Sequence, residues 1–456
     1  MKLTVEGFKS IKKVKNFEFL PFTLLAGINS SGKSSLIQIL LLLKQTLNSK
    51  EFLSVNGPYV YAETIKDLLY GKESGELRIS IYASDNEICE KAKESFSAFF
   101  SDEETIKEIE ASLTFFVNGK VRLRHLIVEI KGSGESIYQW QMNETSLQSE
   151  LYSVQGNRLR EGRVSTQSPQ LYIPRFENFI PLYFEPQGSR DVSTGSVTMY
   201  KSVPSEGLIY FLRDMLDSLY YIKALRVEPD LKKSYKTAVN REYIDPDGQN
   251  LQFVYNEKKD ELVREHETLN AALVRWLGKE LDLSRDIDIH QDEEKFYHTL
   301  LRMQKGLDVD LCQVGFGVSQ VLPILVQGLL TPKGGTLIIE DPEVHMHPSV
   351  QAGLVDFFME MIQDGKNVII ETHSDHIVTR LRRRVAEKKL NPQIVNLCFV
   401  SRSQELGSIY QTIDIKEQGV LQAPLPEGFL DVQDDDFRAI LRAKLENTKI
   451  ETPAQE

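Results

Sequence analysis

The segment from Gly27 to Ser34 carries the most specific chemical signal in the chain. It reads GINSSGKS and fits G-x-x-x-x-G-K-[ST] at every fixed position. In this pattern glycines allow a turn whose backbone N–H groups face phosphates, the lysine reaches the β- and γ-phosphates, and the last hydroxyl ligates Mg²⁺. The alternative, a glycine turn with a chance lysine, is disfavoured by the apolar strand before it and the helix after it. The residues expected to bind the magnesium nucleotide are Gly27, Asn29, Ser30, Ser31, Gly32, Lys33, Ser34 and Ser35.

A second group of ionisable residues ends the apolar segment TLIIED, in which Glu340 and Asp341 come last. Carboxylates are costly to bury without a cation. A magnesium nucleotide needs such a carboxylate at a strand end near the phosphate loop. We therefore expect Glu340 to be the magnesium-side carboxylate and Asp341 to polarise the attacking water. Without the phosphate loop, a solvated acidic turn would be the simpler interpretation.

Two further turns could contact the same nucleotide. His373 follows the apolar segment NVIIET and could hydrogen-bond a γ-phosphate or the attacking water, although a histidine there also serves as a cap or a packing residue. The turn VGFGVSQ places Gly315, Gly317 and Ser319 before an apolar helix. This predicts a second helix N-terminus suited to an anion.

Strands and a helix must bring these residues together. Apolar segments at 22–26, 336–341 and 366–372 predict buried strands, and an apolar helix follows Gly32. Residues 60–150 alternate like antiparallel strands, with a hairpin signal at Asn118-Gly119. Residues 200–285 show helical spacing of apolar side chains. The pattern predicts an α/β protein.

Composition narrows the class of protein. The chain has 456 residues and a net charge of -12, which argues against a surface coated with basic residues. Cys89, Cys312 and Cys398 lie far apart and form no CxxC pair, as expected in a reducing cytoplasm. The N-terminus lacks the apolar core of a signal peptide, and the longest apolar run, Leu36 to Leu47, is too short to span a bilayer. We expect a cytoplasmic protein with no membrane partner.

In order, the phosphate loop, the small-residue turn, EDPEVHMHP and ETHSD resemble the ABC-type ATPase head shared by SMC, RecF and OLD-family proteins. The opening EGFKSIKKVKNFEF is similar to the first hairpin of that group. The resemblance implies an α/β fold, an ABC-type P-loop ATPase head with a mixed sheet flanked by helices, an antiparallel β subdomain and a helical insertion. The implied boundaries are 1–150 for the N-terminal part of the head, 151–300 for a mainly helical insertion, 301–415 for the C-terminal part and 416–456 for a tail or helix.

The resemblance also implies roles. Glu340 would be the Walker B carboxylate, Asp341 the catalytic carboxylate and His373 the switch histidine. The degenerate signature, which would contact the nucleotide of a second subunit, comprises Gly315, Gly317, Ser319 and Gln320. The family order of the two acids is Asp then Glu, and this chain inverts it. The inversion predicts slow hydrolysis and leaves Glu343 as an alternative catalytic acid.

The segment from Ala423 to Lys449 resembles the tail of stand-alone ATPases in bacterial antiphage systems, such as Septu or PARIS-like pairs. The implied function is an ATP-hydrolysing switch with Mg²⁺ that dimerises, or forms a higher oligomer, around nucleotide and controls a separately encoded effector such as a nuclease. Two alternatives stay open. One is a RecF-like DNA-repair ATPase, for which the basic segment from Arg380 to Lys389 could contact DNA. The other is a nucleotide-gated scaffold with little turnover.

Overall fold

The computed structural model describes most of the chain. The described residues are 1–72, 75–84, 106–118, 120–132, 137–145, 152–160, 163–166, 170–186, 200–201, 203–227, 242–293, 296–304, 307–423 and 439–443. The segment from Ala423 to Lys449, on which the resemblance to antiphage ATPases rests, lies outside them except for residue 423 and residues 439–443.

Twenty-two strands lie within these ranges. They are β1 Lys2–Phe8, β2 Ile11–Glu18, β3 Phe22–Ala26, β4 Gly75–Ala83, β5 Ile106–Asn118, β6 Lys120–Gly132, β7 Ile137–Glu144, β8 Tyr152–Arg160, β9 Arg163–Thr166, β10 Gln170–Glu177, β11 Ile180–Pro186, β12 Tyr200–Lys201, β13 Leu219–Ile222, β14 Leu262–Arg264, β15 Glu267–Thr268, β16 Asp286–Gln291, β17 Tyr297–Gln304, β18 Leu307–Asp310, β19 Thr336–Glu340, β20 Asn367–Thr372, β21 Val395–Ser403 and β22 Gly407–Thr412.

Seven α-helices lie within the described residues. They are α1 Lys33–Leu47, α2 Val203–Asp217, α3 Leu251–Lys258, α4 Leu269–Arg275, α5 Phe316–Leu330, α6 Pro348–Gln363 and α7 Asp375–Ala386. A π-helical turn, Trp276–Glu280, extends α4. Short 3₁₀ turns occupy Ile65–Leu68, Tyr70–Lys72, Leu311–Gln313 and Pro392–Ile394.

Five short apolar strands form the parallel centre of the main sheet. Their spatial order is β13, β19, β20, β3 and β21. These strands are apolar over consecutive residues because helices and the antiparallel subdomain cover both faces of the sheet. Strand β20 lies between the strand that precedes the phosphate loop and the strand that ends in the acidic pair. The carboxyl ends of these three strands therefore meet at one edge.

An antiparallel subdomain extends from this centre. Strand β22 pairs with β21 and joins β2 through Ile11 and Gly407. From β2 the order continues through β1, β4, β5, β6, β7, β8, β10, β11 and β12. Helix α1 packs between the two parts, which explains why its segment LIQILLLL is apolar on every face.

The predicted fold class is confirmed: a large mixed sheet flanked by helices carries an antiparallel β subdomain. The hairpin expected at Asn118-Gly119 is present as the antiparallel pair β5 and β6. The mainly helical segment expected at 151–300 is wrong in its secondary structure. Strands β8 to β11 occupy much of 152–186, and β13 belongs to the parallel centre. The four residues of β13 begin one residue after α2 ends, and so short an apolar run cannot be distinguished from a helix by periodicity.

A part-buried ion cluster fastens the insertion to α6. The Glu360 carboxylate accepts hydrogen bonds from Arg275 Nη1 and Nη2, at 3.0 and 2.7 Å, and from Trp276 Nε1 at 2.9 Å. Arg264 also pairs with Glu360. These bonds lower the pKa of Glu360 despite the opposing effect of its burial.

Replacing Glu360 by leucine is expected to lower the free energy of unfolding by about 1–3 kcal/mol, because two guanidinium groups lose a charged acceptor. Urea-induced unfolding measures the change. Glu257→Gln on the exposed face of α3 is the control and should leave the midpoint where it is. Equal midpoints for Glu360→Leu and Glu257→Gln would show that the cluster contributes no stability.

Candidate nucleotide site

Side chains of strand β22 donate hydrogen bonds to two backbone carbonyls of the phosphate loop. The Ser408 hydroxyl donates to Ser31 O and the Tyr410 hydroxyl to Gly32 O, both at 2.6 Å. Gly32 has a φ of 103°, and a Cβ there would lie 2.0 Å from Ser408 Oγ and 2.3 Å from Ser10 Oγ. The motif therefore needs glycine at this position for both conformation and space.

Lys33 lies at the centre of the site and is almost fully buried. Its Nζ donates to Gly27 O at 3.2 Å and to Ile28 O at 3.0 Å, and lies 3.0 Å from His373 Nε2. The carboxylate of Glu371 is 3.9 Å away. Burial lowers the pKa of Lys33, against the attraction of the nearby carboxylates. An ammonium in such a position is available to a ligand that brings negative charge.

Glu371 stands beside the phosphate loop, and the sequence interpretation did not select it. In the parallel register, Glu371 is paired with Glu340 on one side and with Leu25 on the other. Its Oε1 accepts a 2.8 Å hydrogen bond from Ser34 Oγ. Burial, reinforced by Glu340, raises the pKa of Glu371 to about 8.

Asp341 begins the turn after β19 in a left-handed conformation, with a φ of 42°. Its backbone N–H donates to Glu371 O at 2.9 Å, which fixes the turn to β20. Its Oδ1 is buried and accepts no hydrogen bond, and lies 3.8 Å from His373 Nε2. Burial, together with the Lys33 charge, lowers the pKa of His373, so the imidazole is neutral at pH 7. A carboxylate oxygen without a partner beside a neutral imidazole is suited to hold a water molecule.

Glu343 is occupied differently. One carboxylate oxygen accepts a 2.8 Å hydrogen bond from Thr372 Oγ1, and the other accepts from the backbone N–H of His373. Burial raises the pKa of Glu343, and these hydrogen bonds act in the opposite direction. Glu343 thus links the acidic turn to the histidine turn. Of the two candidate catalytic acids, Asp341 and Glu343, Asp341 is the one with a carboxylate oxygen that accepts no hydrogen bond.

Arg226 supports the acidic turn from the loop after β13. Its Nη2 donates to Glu340 O at 3.0 Å and to Asp341 O at 3.3 Å. The residue is 6% exposed, and its Nε and Nη1 have no hydrogen-bond partner. Burial lowers its pKa to about 10, so the guanidinium remains charged at neutral pH. Arg226 therefore fixes the backbone that presents Asp341.

Replacing Arg226 by leucine is expected to lower the free energy of unfolding by about 1–3 kcal/mol, because two carbonyls lose their buried donor. Turnover should fall further than stability explains, because the Asp341 turn loses its support. Thermal unfolding and phosphate release measure the two effects. Arg213→Leu on α2 is the control for the loss of an arginine side chain in both measurements. Unchanged turnover in a destabilised Arg226→Leu protein would contradict the positioning role.

The small-residue turn begins helix α5 at the same edge of the sheet. Gly317 packs against the turn after β19, since a Cβ there would lie 3.1 Å from His345 O. The Phe316 ring is 49% exposed and lies 5.7 Å from the ring of His345. Gly315 precedes the first helical residue and has open space around it. Ser319 and Gln320 are buried, and the Ser319 hydroxyl donates to Phe316 O at 2.7 Å.

The remaining loop residues differ in exposure. Asn29 and Ser30 are exposed at the tip of the loop, and Ser30 has a φ of 59°. Ser35 Oγ lies 2.9 Å from Ser10 Oγ, and Ser31 Oγ is buried without a hydrogen-bond partner. The structure thus brings Gly27 to Ser35, Glu340, Asp341, Glu343 and His373 together. The turn from Gly315 to Gln320 contacts the 343–347 turn instead of the phosphate loop.

A magnesium nucleotide fits the chemistry of these groups. Glu371, which contacts the Ser34 hydroxyl and the Lys33 ammonium, has one buried oxygen without a hydrogen-bond partner. Glu340 and Asp341, at the end of the adjacent strand β19, each have another. The described residues hold no closed cage of three or more His, Cys, Asp or Glu side chains. Mg²⁺ commonly uses one or two carboxylates together with phosphates and water, which agrees with an open site.

The strand β3, the glycine-containing loop and helix α1 have the layout of a P-loop, and the comparison with family models agrees with it. The model of the AAA ATPase domain matches residues 1–378. The match covers most of the chain, and the protein belongs to this family. Nucleotide binding is therefore a property of its class. A comparison with curated proteins gave no match.

Three solved structures of SMC heads align with most of the chain. The Smc head bound to the C-winged helix domain of ScpA has 12% identity and a TM-score of 0.47, covering 91% of this chain and 98% of that one. The SMC head domain from Thermotoga maritima has 11% identity and a TM-score of 0.38, with the same coverage. The Smc head domain from Pyrococcus furiosus, bound to the C-terminal domain of ScpA, has 12% identity and a TM-score of 0.41, covering 97% and 98%.

The basic segment after His373 is largely engaged within the chain. Arg380 and Arg384 both pair with Asp356, which fastens α7 to α6. Arg383 pairs with Glu387. Arg382 Nε donates to Gly419 O at 3.0 Å. These contacts support the structural interpretation of the segment over a DNA-contact surface.

In the part of the chain that the structure describes, we find no helix with the length and hydropathy needed to cross a bilayer.

Proposed function

We propose that the protein is an ATP-hydrolysing switch of ABC type that assembles around nucleotide. The observation that carries the proposal is the convergence of Lys33, Asp341 and His373 at three adjacent strand ends, with Asp341 Oδ1 buried and unpartnered. Lys33 would bind the β- and γ-phosphates. Ser34 and Glu340 would hold Mg²⁺, which supplies charge stabilisation to the transferring phosphoryl group.

In this proposal Asp341 orients the attacking water and His373 stabilises the γ-phosphate side of the site. His373 acts as a neutral imidazole held by Lys33, and Glu343 fixes its backbone. The side chain of Asp341 is one methylene shorter than that of the usual glutamate. The water must therefore bridge a longer gap, which supports slow turnover.

Self-association is supported by exposed apolar side chains at the edge that carries the site. Ile28 is 51% exposed in the phosphate loop, Leu225 is 80% exposed beside Arg226, and Phe316 is exposed at the start of α5. Exposed apolar surface rimmed by polar residues is typical of an interface, which supports contact through these three segments. In the proposed dimer, the N-terminus of α5 completes the nucleotide site of the second copy.

Sedimentation velocity of Asp341→Asn with ATP and Mg²⁺ tests the assembly. We expect the mass to double with ATP and to remain that of a monomer without it. Phe316→Glu should prevent the doubling while ATP still binds, because it places a charge in the apolar rim. Leu262→Glu, at an exposed leucine of β14, is the matched control and should still dimerise. A monomer at saturating ATP would overturn the assembly.

We further propose that the switch controls a separately encoded effector, a nuclease in antiphage defence. This part rests on the resemblance of residues 423–449 to the tails of antiphage ATPases. Plaque counts on cells that carry the protein with its native flanking genes test it. We expect protection that Lys33→Met abolishes. Equal plaque counts with and without the wild-type genes, across a panel of phages, would contradict the defence role.

A further inference from the structure

We propose that Glu371 is a second magnesium-side carboxylate, which holds the ion through the Ser34 hydroxyl and through the ion's hydration shell. The inference rests on the proposed ATP binding and deepens it. It concerns the residue before Thr372 and His373, for which the resemblance implies no role.

The sheet places this carboxylate where the ion is expected. Strand β20 lies between β3, which leads into the phosphate loop, and β19, which ends in Glu340. Because Glu371 and Glu340 are register partners on adjacent parallel strands, their Cα atoms are about 5 Å apart. Glu371 thus lies between the Ser34 hydroxyl, which it contacts, and the neighbouring strand that ends in Glu340.

The hydrogen bonding of Glu371 is incomplete in a way that indicates a cation. Ser34 Oγ donates to Oε1. Oε2 is buried and has no hydrogen-bond partner, and the residue is only 5% exposed. Glu340 Oε1 is likewise buried and unpartnered. A buried carboxylate oxygen without a donor is costly, so its retention suggests a ligand that offsets the cost.

The ion pair between Lys33 and Glu371 also indicates a cation at this place. Among the described residues, Lys33 is the cation in ion-pair contact with Glu371, at 3.9 Å. In a P-loop this ammonium moves to the β- and γ-phosphates when nucleotide binds. Glu371 would then have no ion-pair partner among the described residues, and its charged form would need another cation nearby. A divalent cation beside Ser34 supplies the missing charge.

The existing hydrogen bond also orients Ser34 for metal ligation. A serine hydroxyl has one proton and two lone pairs. While the proton is donated to Glu371 Oε1, a lone pair remains for the ion. Carboxylates that orient metal ligands in this way typically change metal affinity 10- to 100-fold when mutated. The unpartnered Oε2 is left to accept from the hydration shell that Mg²⁺ usually keeps.

The test uses the full chain, ATP and Mn²⁺ as a spectroscopic substitute for Mg²⁺. Glu371→Gln keeps an oxygen that can accept from Ser34 but loses the charge. We expect its ATP complex to bind Mn²⁺ about 10- to 100-fold more weakly in electron paramagnetic resonance titrations. Affinity for ATP in excess EDTA should be equal to the wild type or higher, because a negative charge near the phosphates is removed.

Glu360→Gln is the matched control, since it removes the charge of a part-buried carboxylate that accepts protein hydrogen bonds outside the nucleotide site. We expect its Mn²⁺ affinity to remain near the wild-type value. Wild-type Mn²⁺ affinity in Glu371→Gln would overturn the inference and leave the ATP site intact. Failure of the wild type to bind ATP, with or without metal, would overturn the proposed function as well.

If Glu371→Gln does not fold, as judged by thermal unfolding, Glu371→Asp tests the same claim. The shorter carboxylate retreats by one methylene and loses the 2.8 Å contact with Ser34 Oγ. Its ATP complex should bind Mn²⁺ at least several-fold more weakly. Unchanged Mn²⁺ affinity in Glu371→Asp would also overturn the inference.

Discussion

Replacing Lys33 by methionine is expected to lower the affinity for ATP by more than about 100-fold. Methionine keeps the volume of the side chain but removes the ammonium, the group proposed to meet the phosphates. Loss of one partner from a buried, hydrogen-bonded charge pair costs about 2–5 kcal/mol, and 1.4 kcal/mol corresponds to a factor of ten. Isothermal titration with a slowly hydrolysed ATP analogue measures the change.

Lys15→Met is the control for the loss of a positive charge. Lys15 is exposed on β2, and its replacement should leave the affinity at the wild-type value. Lys15→Met should unfold near the wild-type temperature. Lys33→Met should be folded but somewhat less stable, because methionine fills the position but Gly27 O and Ile28 O lose their buried donor. Tight binding of the analogue by a folded Lys33→Met protein would contradict the assignment of the phosphate loop.

Replacing Asp341 by asparagine is expected to reduce the hydrolysis rate by about 10²- to 10⁴-fold while ATP binding remains. Asparagine suits the position because it tolerates the left-handed backbone that Asp341 adopts, so the turn should persist. It lacks the charged oxygen that would orient the water. Single-turnover hydrolysis, with binding measured separately, distinguishes the chemical step from affinity.

The comparison with Glu343→Gln decides between the two acids. Both oxygens of Glu343 already accept protein hydrogen bonds, so its replacement should disturb the histidine turn and reduce the rate less than Asp341→Asn does. The reverse ranking, with Glu343→Gln the slower enzyme, would transfer the water-orienting role to Glu343. A wild-type rate in Asp341→Asn would have the same consequence.

The local part of the site could be predicted from sequence because each motif carries its own geometry. The phosphate loop, Glu340, Asp341 and His373 each follow an apolar strand, and parallel strands bring their carboxyl ends to one edge. Glu371 could not be selected in this way. Its role depends on β20 lying between β3 and β19, and strand order does not follow from periodicity. A glutamate in the second-last position of an apolar strand was the one available signal.

Contacts between residues far apart in the chain could not be predicted from the sequence for a similar reason. Ser408 and Tyr410 hold carbonyls of the phosphate loop, although more than 370 residues separate them from it. Their place depends on the pairing of β22 with β21 and β2. The expected helical insertion was wrong over much of 152–186, where β8 to β11 extend the antiparallel subdomain, and again at β13, because LYYI reads equally well as a buried helix or a buried strand.

Steady-state release of phosphate from ATP by the purified wild-type protein, with and without duplex DNA, tests the central claim most directly. The account predicts slow but continuing turnover, with many phosphates released per protein molecule. This release should require Mg²⁺ and should be lost in Asp341→Asn. DNA should leave the rate unchanged, since the basic side chains of α7 are largely paired within the chain. Release that stops at or below one phosphate per site would contradict an ATPase switch and indicate a nucleotide-gated scaffold.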